Sequence, residues 1–397
     1  MLIYEGSHRC FLRKIQLKRF RQNNFLEIRM SVKNFSNKTF LYAFLFFIVA
    51  LGAACSGQPV GQSNGTTSSG GGAIQIQGSG STFVKPIMDK WTSEYGKINP
   101  NVRIDYQGTG SGAGIKAIQN QTADFGATDA AMTNDELKQS PDIVHVPLVL
   151  GAVVLTYNLP DVKEPLKLSP DVIADIYLGK IKKWNDERIK RDNPSAQLPD
   201  ADITPVFRSD GSGTSYVFTD YLSKTSPEWK GAIGATKNPQ LPSGIGIGAK
   251  GNEGVMGQVK QTPNTIGYVE LTFAKANNLP TALIKNGSGN FVEPNSDTVT
   301  NAAAEMATQM PDDLRLEITN ANGANAYPIS GMVYALVYKD QKDAAKGKAL
   351  VDFLWWVTHD GEKFVRDLHY APIPAEMVKR VETKLNSVTG GGQNLRQ

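Results

Sequence analysis

From Ala73 onward, short runs that alternate apolar and polar residues trade places with stretches of helical spacing. Ile74-Gln75-Ile76-Gln77 has the period of two expected of a half-buried strand. Phe83 to Tyr95 then carries apolar residues at 83, 84, 87, 88 and 91, the stripe of an amphipathic helix. Val102–Tyr106 predicts a second strand, Ile115–Ile118 lies in a second helix, and Ala123–Ala127 is strand-like. This βαβα rhythm predicts an α/β domain with a mainly parallel sheet. Val144–Thr156 (VHVPLVLGAVVLT) is almost continuously apolar, as strands buried on both faces are. A second α/β unit is predicted from about Ala152 to Asn325, with a strand Ile203–Phe207 feeding a helix Ser212–Leu222. The last part holds a strand Met332–Val337 and an apolar helix Ala349–Val357. Residues 386–397, ending in Gly390–Gln397, read as a disordered tail, and no internal repeat is present.

A chain of 397 residues is too long for one compact core and fits two domains plus its ends. Its formal charge of +4 hints at an acidic partner, but the charge is unevenly placed. Residues 1–54 hold nine of the 42 bases and two of the 38 acids, which leaves 33 bases against 36 acids in the remainder. A slightly acidic body gives no case for nucleic-acid binding. An anion bound there must be held by local donors.

The run Phe40–Leu51 (FLYAFLFFIVAL) follows Lys33 and Lys38 and ends in Gly52-Ala53-Ala54 before Cys55. Basic start, short apolar stretch and small-residue end are the layout of a secretory signal over residues 1–54. The run is marginal for a membrane-spanning helix, which needs about 20 apolar residues. Met30 opens a more conventional signal than Met1 does, so residues 1–29 read as a misplaced start. Leu51-Gly52-Ala53-Ala54-Cys55 resembles a bacterial lipoprotein signal, in which the cysteine is acylated; Gly52 departs from the leucine usual three residues before it. The other cysteine, Cys10, lies upstream, so the mature protein is expected to hold no disulfide. Residues 55–73, rich in Gly, Ser and Thr, are then expected to form a lipid-anchored flexible tether.

Four segments share one grammar: a predicted strand ends, Gly, Ser and Thr cluster, and a helix begins. They are Gly78-Ser79-Gly80-Ser81-Thr82-Phe83, Gly108-Thr109-Gly110-Ser111-Gly112, Gly126-Ala127-Thr128-Asp129 and Arg208-Ser209-Asp210-Gly211-Ser212-Gly213-Thr214. Helix N-termini carry partnerless N–H groups and partial positive charge, glycines allow close approach, and hydroxyls add donors. Together they build an anion site with little formal charge. A single such cluster is more often an N-cap or a turn; four together, one with an arginine, are not easily read that way. None of the four is a nucleotide loop, since GxxxxGK[ST] is absent and neither Gly108 nor Gly110 has a glycine at the spacing GxGxxG requires, and none of these serines sits in a GxSxG elbow. His8, His145, His359 and His369 are scattered, no spacing suggests zinc, and His145 reads as structural. Trp355-Trp356 and Tyr95 read as packing residues.

The runs GSGSTFVKPI, YQGTGSGAGIKAI, DFGATDAAMT and FRSDGSGTSYVF resemble, in order and spacing, the ligand-contacting segments of the periplasmic phosphate-binding proteins of ABC-type phosphate importers. Further similarity, in IGYVE, ALVDFLWWV and HYAPIP, extends to about Lys384. The resemblance implies a two-lobed α/β periplasmic-binding-protein fold of type II, with a hinge and a ligand cleft. Lobe one would combine 74–151 with 326–385 and lobe two would be 152–325, with crossings near Gly151 and Tyr327.

It also implies roles. Thr82 and Phe83 would donate from the first helix start and Ser111 from the second, while Ser212, Gly213 and Thr214 would surround the anion with N–H and O–H groups. Arg208 would supply the one formal positive charge, with Asp210 holding it in place. Asp129 would set selectivity, because phosphate carries a P–OH that a carboxylate can accept and sulfate carries none. The bland alternative for Asp129 is a helix cap for the turn Thr133–Leu137. Gly112-Ala113 departs from the Ser-Gly or Gly-Gly of many relatives, at a point where only backbone contact is implied. The function implied is reversible capture of inorganic phosphate by a monomer and its delivery to ABC permease subunits, with no cofactor, metal or nucleic acid. The rivals are a protein for another oxyanion, a phosphate sensor or scavenger not coupled to transport, and an enzyme, which would need a metal or nucleophile the sequence does not show.

Overall fold

The computed structural model describes residues 73–396, so Cys55, the signal segment and nearly all of the tether lie outside the described residues. Eight strands form the main sheet: β1 (Ile74–Gly80), β2 (Val102–Gly108), β3 (Phe125–Thr128), β4 (Ile143–Tyr157), β5 (Thr204–Arg208), β6 (Ile247–Ala249), β7 (Thr265–Glu270) and β8 (Ser330–Tyr338). Their order is β2-β1-β3-β8-β4-β7-β5-β6. The flanking triplets, β2-β1-β3 and β7-β5-β6, are parallel within themselves. The two central strands are antiparallel to each other and to the strands beside them. The sheet is therefore mixed, not mainly parallel. Apolar periodicity reports burial and is blind to strand direction, so β4 and β8 read as buried strands without revealing their sense.

β4 is what joins the two halves. Its first ten residues, Ile143 to Ala152, pair with β8, and from Val153 to Tyr157 it pairs with β7. Nearly all of its fifteen residues are buried.

Helices follow the strands of each triplet. In the first half they are α1 (Lys85–Ile98), α2 (Ser111–Gln119) and the short α3 (Asn134–Lys138); in the second they are α4 (Gly213–Thr225) and α5 (Gly251–Gln261). α1 buries Ile87, Met88, Trp91 and Tyr95, one stripe of its surface, and starts with a proline in its first turn, where the missing N–H costs nothing. The C-terminal α6 (Ala344–Thr358) and α7 (Ala375–Asn386) return to the first half. There Tyr95 packs against Phe353 and Trp356 at centroid distances of 5.2 and 5.4 Å, and Trp355 stacks on His359.

The tail corrects its sequence reading. Residues 386–397 were expected to be disordered, but Thr389–Gly390 and Gln393–Asn394 pair as a hairpin, beside Asp340–Gln341. Gly391 and Gly392 take φ of 60° and 80°, as a two-residue hairpin turn requires, so the glycine run is a turn and not a linker. Arg396 closes the end by stacking 3.6 Å from the Trp355 ring.

Candidate functional site

Four strand-to-helix junctions meet at one place. β1, β2 and β3 end at Gly80, Gly108 and Thr128, and β5 ends at Arg208, all at carboxyl ends of parallel strands, where open α/β sheets place their ligands. α1, α2 and α4 begin there, so their first-turn N–H groups, which have no acceptor within the helix, converge.

Asp129, at the end of β3 and 2% exposed, is the centre of the cluster. The Ser111 hydroxyl donates to its Oδ1 at 2.5 Å from the same half, and the Thr214 hydroxyl donates to its Oδ2 at 3.0 Å from the opposite half. Arg208, 3% exposed, places Nη1 3.3 Å from Thr214 Oγ1 and forms a fork with Asp210 through Nε and Nη2 at 2.7 and 2.6 Å. Burial would raise the Asp210 carboxyl, but the guanidinium and the Gly251 N–H outweigh it and hold it below the usual carboxylate range. Most of the arginine charge is thus answered inside the protein, and the remaining donors are uncharged.

All eight residues expected to touch the ligand, with Asp210, fall in this region, and all are buried except Asp210. Thr82, Ser111, Asp129, Arg208 and Thr214 are joined by side-chain hydrogen bonds, Thr82 through Asn252. Phe83 presents its N–H at the head of α1 while its ring packs against Tyr370. Ser212 differs from its sequence reading. Its N–H is taken by the Lys237 carbonyl at 3.0 Å, and its hydroxyl accepts from Ser215 N–H as the N-cap of α4, which leaves only the hydroxyl proton to offer. Asp129 is not the cap of the following helix: Thr133 and Glu136 form that capping box between themselves. His145 is structural, a buried imidazole pushed down to about 3 by burial, which accepts the Met132 N–H at 3.0 Å and steadies the loop after Asp129.

The two halves touch across the cleft. Gly112 N–H donates to the Gly211 carbonyl at 2.8 Å, and Lys237 reaches both Glu136 oxygens at 2.9 Å.

The PBP superfamily domain matches residues 65–360. The phosphate-binding protein PstS of Xylella fastidiosa (strain 9a5c) is 41% identical over 312 residues, covering 78% of this chain and 84% of that protein. The chain belongs to the phosphate-binding protein family of the PBP superfamily. Two solved structures share the two-lobed fold: the phosphate-binding protein of Stenotrophomonas maltophilia (TM-score 0.61, 19% identity, 78% of this chain and 94% of that one) and an ABC-type phosphate transport receptor from Vibrio cholerae (TM-score 0.51, 20% identity, 75% and 100%).

Within this member of the family, two residues of the site were missed from sequence. Asn252 is fully buried at the start of α5 and touches Thr82 and Thr214 together. Its strand–glycine–helix junction was a fifth copy of the grammar, but lacked Ser and Thr. Glu270, at the end of β7 and 0% exposed, has its carboxyl pushed up to about 8 by burial. The Tyr370 hydroxyl lies 2.6 Å from the Phe83 carbonyl and 3.2 Å from Glu270 Oε2. Its single proton goes to the carbonyl, so the second contact calls for a proton on Glu270.

The folded protein therefore keeps a proton on Glu270 that the unfolded chain gives up above about 4.5. Stability from this site is full below that value and is lost as pH rises through about 8, by about 1.4 kcal/mol per unit at most. Glu270→Gln, which keeps a neutral polar group of the same length, should flatten the fall of Tm between pH 5 and pH 8.5 relative to wild type. Parallel Tm curves for the two proteins would show that Glu270 is ionised in the fold.

Proposed function

We propose that this protein binds inorganic phosphate between its lobes, at the eight residues described, and delivers it to the permease of an ABC-type phosphate importer. The observation that carries the reading is the placement of Asp129: a buried carboxylate that accepts one hydroxyl from each lobe, Ser111 and Thr214, with the nearby guanidinium already paired. Such a carboxylate suits a tetrahedral anion that brings a proton of its own. The donors surround the oxygens, and the carboxylate accepts the P–OH.

The lobes pivot in this reading where β4 changes partner, at Ala152 and Val153, and where the chain returns near Tyr327 to enter β8. Ligand contacted from both sides favours the closed arrangement, in which Gly112 meets Gly211 and Lys237 meets Glu136. Binding is reversible and leaves the ligand unchanged, so the protein acts as a carrier and not as an enzyme. It works as a periplasmic monomer tethered through acylated Cys55, and among the described residues no helix is long and apolar enough to cross a membrane. Calorimetric titration of residues 56–397 with phosphate should give one saturable site per chain. No heat beyond dilution, with the protein folded, would refute the reading.

A further inference from the structure

Among the described residues, three ion pairs join segments assigned to opposite lobes, and burial ranks them. Arg366 meets Asp297 with side chains 53% and 81% exposed, and Arg380 meets Asp312 with a still more exposed aspartate. Water and salt screen such pairs, and they contribute almost nothing. Lys237 and Glu136 are different. Their side chains are 13% and 29% exposed, and Lys237 Nζ stands 2.9 Å from each Glu136 oxygen.

Both ends of this pair are anchored to segments that carry the site. The Lys237 carbonyl accepts the Ser212 N–H at 3.0 Å, at the head of α4. Glu136 lies in the first turn of α3, the helix that follows Asp129. Its Oε2 accepts the Thr133 N–H at 2.7 Å, and its carbonyl accepts Gln119 Nε2 at 3.1 Å from α2. Burial would raise the Glu136 carboxyl, but the Thr133 N–H and the Lys237 ammonium outweigh it and hold it below the usual carboxylate range. Neither side chain bonds to a residue placed around the anion.

We propose that Lys237 and Glu136 form a latch that holds the lobes shut over phosphate, which makes Lys237 a positioning residue that sets affinity without meeting the ligand. The proposal rests on phosphate binding between the lobes, and adds a contribution to affinity that is electrostatic, remote from the ligand and open to salt. The latch exists only while the lobes are together, so its loss should leave the ligand-free Tm unchanged.

The test is a double-mutant cycle on phosphate affinity, measured by calorimetry for Lys237→Met, Glu136→Gln and the two combined. Glutamine serves a capping box as glutamate does, so Glu136→Gln removes the charge and keeps the start of α3. Each single change should weaken binding by about tenfold, and the combination by about the same factor, because the second change removes a partner already lost. Lys237→Arg keeps the charge and should bind within about threefold of wild type. Raising salt from about 50 mM to about 500 mM should weaken wild type more than the combined variant, whose pair is gone. A merely structural role for Lys237, as the prop of the Ser212 N–H, would give multiplicative losses and equal salt dependence in all four proteins. Either result would overturn the proposal, as would single variants that bind like wild type.

Should Lys237→Met fold poorly, Glu136→Gln alone carries the test, with the same loss of affinity and of salt dependence. Asp297→Asn breaks an exposed cross-lobe pair and should bind within about twofold of wild type. An equal loss there would trace the effect to net charge and overturn the latch. Wild type showing no phosphate binding would instead refute the functional reading beneath it.

Discussion

Gly213→Ala is expected to weaken phosphate binding by at least about a hundredfold while leaving Tm within a few degrees of wild type. A β-carbon at 213 would stand 2.4 Å from Asp129 Cγ, 2.5 Å from Asp129 Oδ1 and 2.6 Å from Ser111 Oγ. Those atoms cannot swing aside cheaply, because the carboxylate is buried and held by hydroxyls from both lobes. Overpacking of this kind costs about 1–3 kcal/mol, and the displaced carboxylate loses its hydrogen bonds as well. A hundredfold corresponds to about 2.7 kcal/mol.

The lobe itself should tolerate the change. Gly213 opens α4 with φ in the ordinary negative range, and alanine is the better helix former. The clash exists only where the lobes meet, so it acts on closure and not on folding. Calorimetry gives the affinity, and small-angle scattering should show that phosphate no longer compacts the variant. A variant that binds as wild type does would mean the lobes do not close with Gly213 against Asp129.

The site was legible in sequence because its signals are local. Glycine, serine and threonine at a strand-to-helix switch mark a helix start that approaches something, whatever the rest of the chain does. Arg208 and Asp210, two residues apart at a strand end, could likewise be paired by inspection. Asn252 could not. Its meaning lies in which oxygens it touches, and those belong to residues 170 and 38 positions away. Glu270 was hidden for the same reason, since a lone acid closing an apolar strand looks exposed until the Val153 pairing and Tyr370 bury it. The sense of β4 and β8 escaped as well, because burial on both faces is common to parallel and central antiparallel strands.

Asp129→Asn should separate selectivity from affinity. In wild type, sulfate would set a fully unprotonated oxygen against a buried carboxylate whose other neighbours already donate to it. Neither partner has a proton to place between them, and both are negative. Sites that demand a donor from the ligand reject an analogue lacking it by about 10⁴–10⁵. An amide at 129 can turn its NH2 toward sulfate or its oxygen toward P–OH, so it serves both anions. Phosphate should then weaken by about tenfold, while sulfate, barely bound by wild type, should come within about a hundredfold of phosphate.

That carboxylate is reached most directly by one calorimetric series: phosphate and sulfate titrated separately into wild type and Asp129→Asn at the same pH and salt. The prediction is a preference for phosphate of at least about 10⁴ in wild type that collapses in the variant. Equal affinities in wild type, or a preference that survives the substitution intact, would contradict it.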